Sequence, residues 1–361
     1  MADLERRLAI QVARHSNGAA APDVCDHVAT ARVTIHRVAS ISQTVAAVAL
    51  LAWLPLQAGR VRTAIRLPVE RASNVFFARV TINGIGPFWF TVDTGATLTV
   101  IDPAAAKLAS LVVREARPRG NVGVSADDVS VATTSGARIE IGGAPVFAPP
   151  QLFVVPVRAN AGYLGHAVDG VLGTDFLSRH VVEFSYAESH VTLQPSSAPL
   201  KGTTASVPVT TDGNCLVATA TLTLPDGEQV AARLLIDTGS NSALTLTSPF
   251  VRRHRLTTRF PSRERSATVG INGIDFSPVV KLTSVAFGST VIDAPDAALS
   301  QAAAGLNASE DFDGMIGGEL LRRFTLTVDY PRQRMILNDS SGGASSGDLS
   351  FGVHSRVDGR R

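Results

Sequence analysis

The chain has 361 residues, enough for two domains, and 45% of them are hydrophobic, which excludes a disordered protein. Its formal charge of +2 implies no bulk attraction to nucleic acid. The two cysteines, Cys25 and Cys215, exclude a disulfide framework if the N-terminal stretch is removed.

Residues 1–37 are Ala/Arg-rich, an N-terminal extension with no convincing core pattern. Residues 38–58 carry no charge and follow Arg32, His36 and Arg37; their apolar centre runs from Val45 to Leu54. A basic flank, an apolar centre and small residues near Ala58 suit a secretory signal or a membrane anchor. A signal should begin nearer the N-terminus, so three readings stand: a start codon placed too early, an uncleaved anchor, or a helix packed on the protein. The first two put the remainder of the chain outside the cytoplasm, in the periplasm, secreted or anchored.

From residue 64 the pattern is β. Val75 to Ile82 and Phe88 to Val92 flank Asn83-Gly84, a strong hairpin signal. The second of these runs ends at Asp93-Thr94-Gly95-Ala96. An N-cap and a first-position proline, Asp102-Pro103, start a helix soon after. Short β-prone runs fill 118–155, His180 to Leu193 reads as a closing hairpin, and 194–204 is a Pro/Ser/Gly linker. The order then repeats: Leu216 to Leu224, a turn at Pro225-Asp226-Gly227, and Gln229 to Ile236 running into Asp237-Thr238-Gly239-Ser240. Ser248-Pro249 starts a second helix, Ala-rich 293–309 reads as helical without a counterpart of like composition, and 324–337 closes the unit. Residues 339–361 form a flexible Ser/Gly-rich tail.

The repeat is a duplication. Asp93 and Asp237 are separated by the same offset as Tyr186 and Tyr330. Each acid is followed by an apolar-apolar-Gly motif, Val171-Leu172-Gly173 and Met315-Ile316-Gly317. The stretch from Asp93 to Gly173 is as long as the stretch from Asp237 to Gly317. The expected domains are therefore 64–193 and 205–338. A carboxylate ending an apolar strand is costly to bury unpaired, so the two acids should meet.

A lone Asp-Thr-Gly carries little. The matched pair, each with its apolar-apolar-Gly partner, resembles the retropepsin-like and pepsin-like aspartic proteases, closest to bacterial two-lobed members. The resemblance spans roughly 64–338. It implies an all-β fold with short helices, in two similar lobes about a pseudo-two-fold axis with a cleft between them. It also implies an aspartic endopeptidase with Asp93 and Asp237 as catalytic acids. Thr94 and Thr238 would bond across the turns, Gly95 and Gly239 would leave room for substrate and water, and Ala96 and Ser240 would complete the dyad support. No cofactor or metal is implied. The partner is a peptide or protein substrate in extended conformation, with no nucleic acid, and one chain holding both acids implies a monomer. A narrow processing protease and a non-catalytic peptide-binding module remain alternatives on the same fold.

Three finer expectations follow. The Ser240 hydroxyl should donate to the Asp237 carboxylate, leaving more of the pair's negative charge on Asp237. Flap candidates are Val122 and Gly123 in the first copy and Gly270 and Gly273 in the second, without the pepsin flap tyrosine. Asp169 and Asp313 are read as turn caps, and His166 and His180 as solvated or core residues.

Overall fold

The structure is a computed structural model that describes residues 64–115, 131–198, 206–211, 215–270 and 273–340. The extension 1–37, the segment 38–58, most of the 194–204 linker and the tail beyond residue 340 lie outside the described residues. No helix among the described residues is long and apolar enough to cross a membrane.

The chain is mostly β, with short helices. Described strands form a nine-stranded sheet and a fifteen-stranded sheet. In the first copy, strands Val75–Ile82 and Ile85–Val92 form the expected hairpin. Asn83 and Gly84 both take positive φ, 53° and 77°, as an Asn-Gly turn between right-twisted strands requires. In the second copy, Val217–Thr223 pairs with Gln229–Ile236. The odd-even pattern in Gln229–Ile236 buries Val230, Ala232, Leu234 and Ile236 in the main core.

One offset governs the pairing in both copies. Support strand Gly170–Leu172 runs parallel to the first acid strand, with Leu172 opposite Val92; Gly314–Ile316 does the same for the second, with Ile316 opposite Ile236. Each support strand is also antiparallel to the strand that follows the acid, Val100–Ile101 or Leu244–Leu246. The acid loops therefore rest on hydrogen-bonded strands. The helix Pro103–Leu108 has its Asp102 cap, whose side chain accepts from Ala104 N at 2.8 Å. The second helix, Ser248–Arg253, starts one residue early, and the Ser248 hydroxyl donates to Ala302 O at 2.7 Å rather than capping.

Residues 293–309 correct the helical reading. They hold strand Asp296–Leu299 and a short 3-10 turn at Leu306–Ala308. The strand pairs with Leu244–Leu246 on one side and Gly273–Lys281 on the other. Alanine is the best helix former, but propensity is a weak force beside tertiary context, and two ladders plus burial of Ala297 and Ala298 override it. The strand also has a counterpart: Leu152–Val154 holds the equivalent place in the first copy, with the same parallel pairing.

The two closing hairpins pair with each other. Strand His180–Ser185 runs antiparallel to Phe324–Asp329, centred on Glu183 opposite Thr327, which are equivalent positions of the two copies. The first hairpin's outer strand runs to Pro195, past the start assigned to the linker. Phe76, Phe184 and Tyr186 pack beneath, with Phe76 and Tyr186 ring centroids 4.8 Å apart. Full burial of each such ring contributes about 1.5–3 kcal/mol.

Candidate active site

Both acids sit one residue beyond their strands, held by support-strand carbonyls. Asp93 N donates to Leu172 O and Asp237 N to Ile316 O, each at 3.0 Å. The turns fold back on the carboxylates. Asp93 Oδ1 accepts from Gly95 N at 2.7 Å and Ala96 N at 3.1 Å. Asp237 Oδ1 accepts from Gly239 N and Ser240 N, both at 3.0 Å.

The threonines cross between copies. Thr94 N donates to Thr238 Oγ1 and Thr238 N to Thr94 Oγ1, both at 3.1 Å. Their hydroxyls then donate to strand carbonyls of the opposite copy, Thr94 to Ile236 O at 2.6 Å and Thr238 to Val92 O at 2.8 Å. Both side chains are fully buried, so every polar atom in this crossing needs its partner.

The glycines acquire a sharper reason than room for substrate. A Cβ on Gly95 would lie 2.7 Å from Asp237 Cγ, and one on Gly239 would lie 2.3 Å from Asp93 Cγ. Each glycine faces the carboxylate of the other copy. Burial raises both above the ordinary 3.8, and Asp237 is raised further by the charge of Asp93. Two buried carboxyls this close cannot both ionise easily, and they titrate as a pair.

That corrects the expectation for Ser240. Its hydroxyl pairs with Ser242 Oγ at 2.7 Å, and Ser240 reaches Asp237 through its backbone N–H alone. The hydroxyl is therefore no reason to place more of the charge on Asp237.

Asp169 and Asp313 are strand clamps rather than turn caps. Asp169 Oδ2 accepts from Trp89 N at 2.9 Å while Oδ1 binds Arg158 Nη2 at 2.7 Å. Asp313 repeats this with Arg233 N at 2.9 Å and Arg253 Nη1 at 3.0 Å. His166 stacks on Phe77 with centroids 4.2 Å apart and pairs with Glu70. Flap candidates Val122 and Gly123 lie outside the described residues. Gly270 and Gly273 pair across the end of a hairpin between strands Arg265–Gly270 and Gly273–Lys281. Sequence reading missed Thr99 and Asp175. Thr99 N and Oγ1 both donate to Asp175 Oδ1, at 2.9 and 2.7 Å, bracing the first loop. Neither lies in a duplicated motif, which left them without a signal. Among the described residues, no three His, Cys, Asp or Glu side chains form a group able to hold a metal ion.

Residues 78–176 match the family model described as aspartyl protease. This segment is similar to the retropepsin-like aspartic proteases. No curated protein matches the chain. The matched stretch holds Asp93 and its Val171-Leu172-Gly173 support. The second copy repeats both features and bonds directly to this stretch through Thr238.

Proposed function

We propose that the chain is an aspartic endopeptidase in which Asp93 and Asp237 work as one unit. The observation that carries this is the crossed arrangement: each carboxyl lies against the other copy's glycine, and burial raises both above their ordinary value, which supports one proton shared between them. Ionised Asp93 takes a proton from water as the water oxygen attacks the peptide carbonyl carbon. Protonated Asp237 gives its proton to the carbonyl oxygen, forming a neutral gem-diol. The C–N bond then breaks as the amine nitrogen takes the proton held by Asp93 and Asp237 recovers one from the diol hydroxyl. One proton on the pair is needed, so activity falls once both acids are protonated and once both are ionised. Burial of both acids supports a lower limb above 3.8.

The substrate would lie extended, pairing its backbone with strand edges. Both acids come from one chain, so a monomer suffices. The uncharged segment 38–58 supports a location outside the cytoplasm, as a cleaved signal or an anchor.

The test is cleavage of a denatured protein mixture by the full chain from acid to neutral pH, beside Asp93→Asn and Asp237→Asn and with a statine-type inhibitor. Either substitution should lower the rate by about a thousandfold or more, within the range set by loss of an acid–base pair. Survival of cleavage in either variant, or no cleavage by the folded wild type, would overturn the reading.

A further inference from the structure

Strands Arg265–Gly270 and Gly273–Lys281 form a hairpin in the second copy, and nothing in the reaction above uses its side chains. Its base is fixed. Val279, Val280 and Lys281 pair with Ala298, Ala297 and Asp296, and Lys281 Nζ bonds Asp296 Oδ1 at 2.8 Å. Past Val279 the two strands pair with each other alone, and Arg265–Gly270 is the last strand of its sheet. Among the described residues, no side chain from 265 to 278 joins an apolar cluster, and Phe276 is 56% exposed. A two-stranded hairpin without apolar backing is marginal by itself.

One carboxylate ties it down. Asp275 Oδ2 accepts from Ser300 Oγ at 2.8 Å, Asn307 Nδ2 at 2.9 Å and Ser277 Oγ at 3.2 Å. Ser277 belongs to the hairpin; Ser300 and Asn307 do not. Among the described residues, every hydrogen bond from the hairpin beyond Val279 to the rest of the chain ends on Asp275. Both outside donors are mounted on the frame of the second acid. Ser300 N donates to Leu246 O, in the strand that follows Asp237, at 3.0 Å. Leu306, beside Asn307, packs on the cluster that holds Leu235 of the acid strand and Met315 of the support strand. Asn307 is fully buried and its Oδ1 has no partner among the described residues, so its amide serves the bond to Asp275. By the offset that relates Asp93 to Asp237, the first copy has Pro156 and Tyr163 at the places of Ser300 and Asn307. Both are exposed, and neither supplies a buried donor.

We propose that Asp275 is a positioning residue: its carboxylate clamps the hairpin to the 300–309 loop, and tight binding of a peptide substrate depends on that clamp. The proposal rests on the endopeptidase reading above and adds what its substrate requires. An extended peptide pairs with strand edges, and the open edge of Arg265–Gly270 serves only while the hairpin is held to the frame that carries Asp237. The role of Asp275 is to hold the hairpin, so its loss weakens substrate binding and leaves the chemical step in place.

The test is amide hydrogen exchange on the full chain, read by mass spectrometry, beside steady-state kinetics. Asp275→Ala should speed exchange in 265–270 and 273–278 by about tenfold or more, the factor expected for loss of hydrogen bonds to a charged group. Exchange in Val217–Thr223 and Gln229–Ile236 should stay as in the wild type. KM should rise by about tenfold or more with kcat within about twofold, the signature of lost uniform binding. Asp275→Asn keeps an acceptor of the same shape but a weaker one, and should fall between Asp275→Ala and wild type in both measures. Ser277→Ala removes a bond internal to the hairpin and should change either measure by less than about threefold. Unchanged hairpin exchange in Asp275→Ala, an equal effect from Ser277→Ala, or a fall in kcat as large as the rise in KM would overturn the proposal. Faster exchange spread through Val217–Thr223 and Gln229–Ile236 would do the same, since it marks loss of the fold rather than of a clamp. If Asp275→Ala does not fold, Asp275→Asn decides by the same measures. Exchange needs no turnover, so a folded wild type that cleaves nothing would sink the endopeptidase reading while exchange still shows whether Asp275 holds the hairpin.

Discussion

The loop after Asp93 and the loop after Asp237 share a backbone and differ in what braces them. The first is pinned by a carboxylate: Asp175 Oδ1 takes both donors of Thr99, and Thr99 Oγ1 accepts from Gly173 N at 3.1 Å. The second has Ala243 and Glu319 at those places. It uses a neutral pair, Ser240 with Ser242, packed against Gly317, where a Cβ would lie 2.5 Å from Ser242 O and 3.0 Å from Ser240 Oγ. Duplication preserved the ladder that places each acid and left the bracing free to diverge. The first loop thereby acquired a titratable brace where the second is braced by two serines.

The largest test of this comparison breaks what the copies share. Gly239→Ala and Gly95→Ala each drive a methyl into the opposite carboxylate, and activity should fall by at least about a hundredfold, as for other misplacements at reacting groups. Gly239→Ala should be the worse, since its Cβ approaches to 2.3 Å against 2.7 Å. Steady-state kinetics on the folded variants checks the order; equal activity to wild type in either would refute the facing geometry.

A middle-sized effect separates the bracing. Burial raises the Asp175 carboxyl above 3.8, against the opposing pull of Thr99 and Phe176 donors. The native state then holds that proton more tightly than the unfolded chain. The resulting stability is fully present below 3.8 and is lost as pH rises through the higher native value. Asp175→Asn removes this dependence, so the variant should gain on wild type as pH climbs from about 4 to 7. Urea denaturation at several pH values reads the difference, and a gap independent of pH would contradict it. Thr99→Val should cost about 1–3 kcal/mol by leaving Gly173 N unpaired.

The smallest effect is expected at Ser240. Because its hydroxyl meets Ser242, Ser240→Ala should leave the lower limb of the pH–rate profile in place and cost about 1 kcal/mol of stability. A limb displaced by half a unit or more would return the hydroxyl to the carboxylate.

Much of this was legible in the chain itself. The acids, their threonines and glycines and the apolar-apolar-Gly supports stand out because the duplication repeats them at one offset, and the hairpins because Asn83-Gly84 and alternating burial are local signals. What lay beyond reach is non-local. That the closing hairpins pair with each other depends on edges meeting from opposite copies, far apart along the chain. Asp296–Leu299 is a strand because neighbours on both sides complete its ladder. Ser240 was misread because a hydroxyl's partner depends on which of two close acceptors the fold brings nearer. The sequence determined which groups meet at the site, through a repeated pattern of residue types. Tertiary structure alone decided how the two acids face each other, because that turns on threonine hydrogen bonds crossing between the copies and on the close approach of each carboxylate to the opposite glycine.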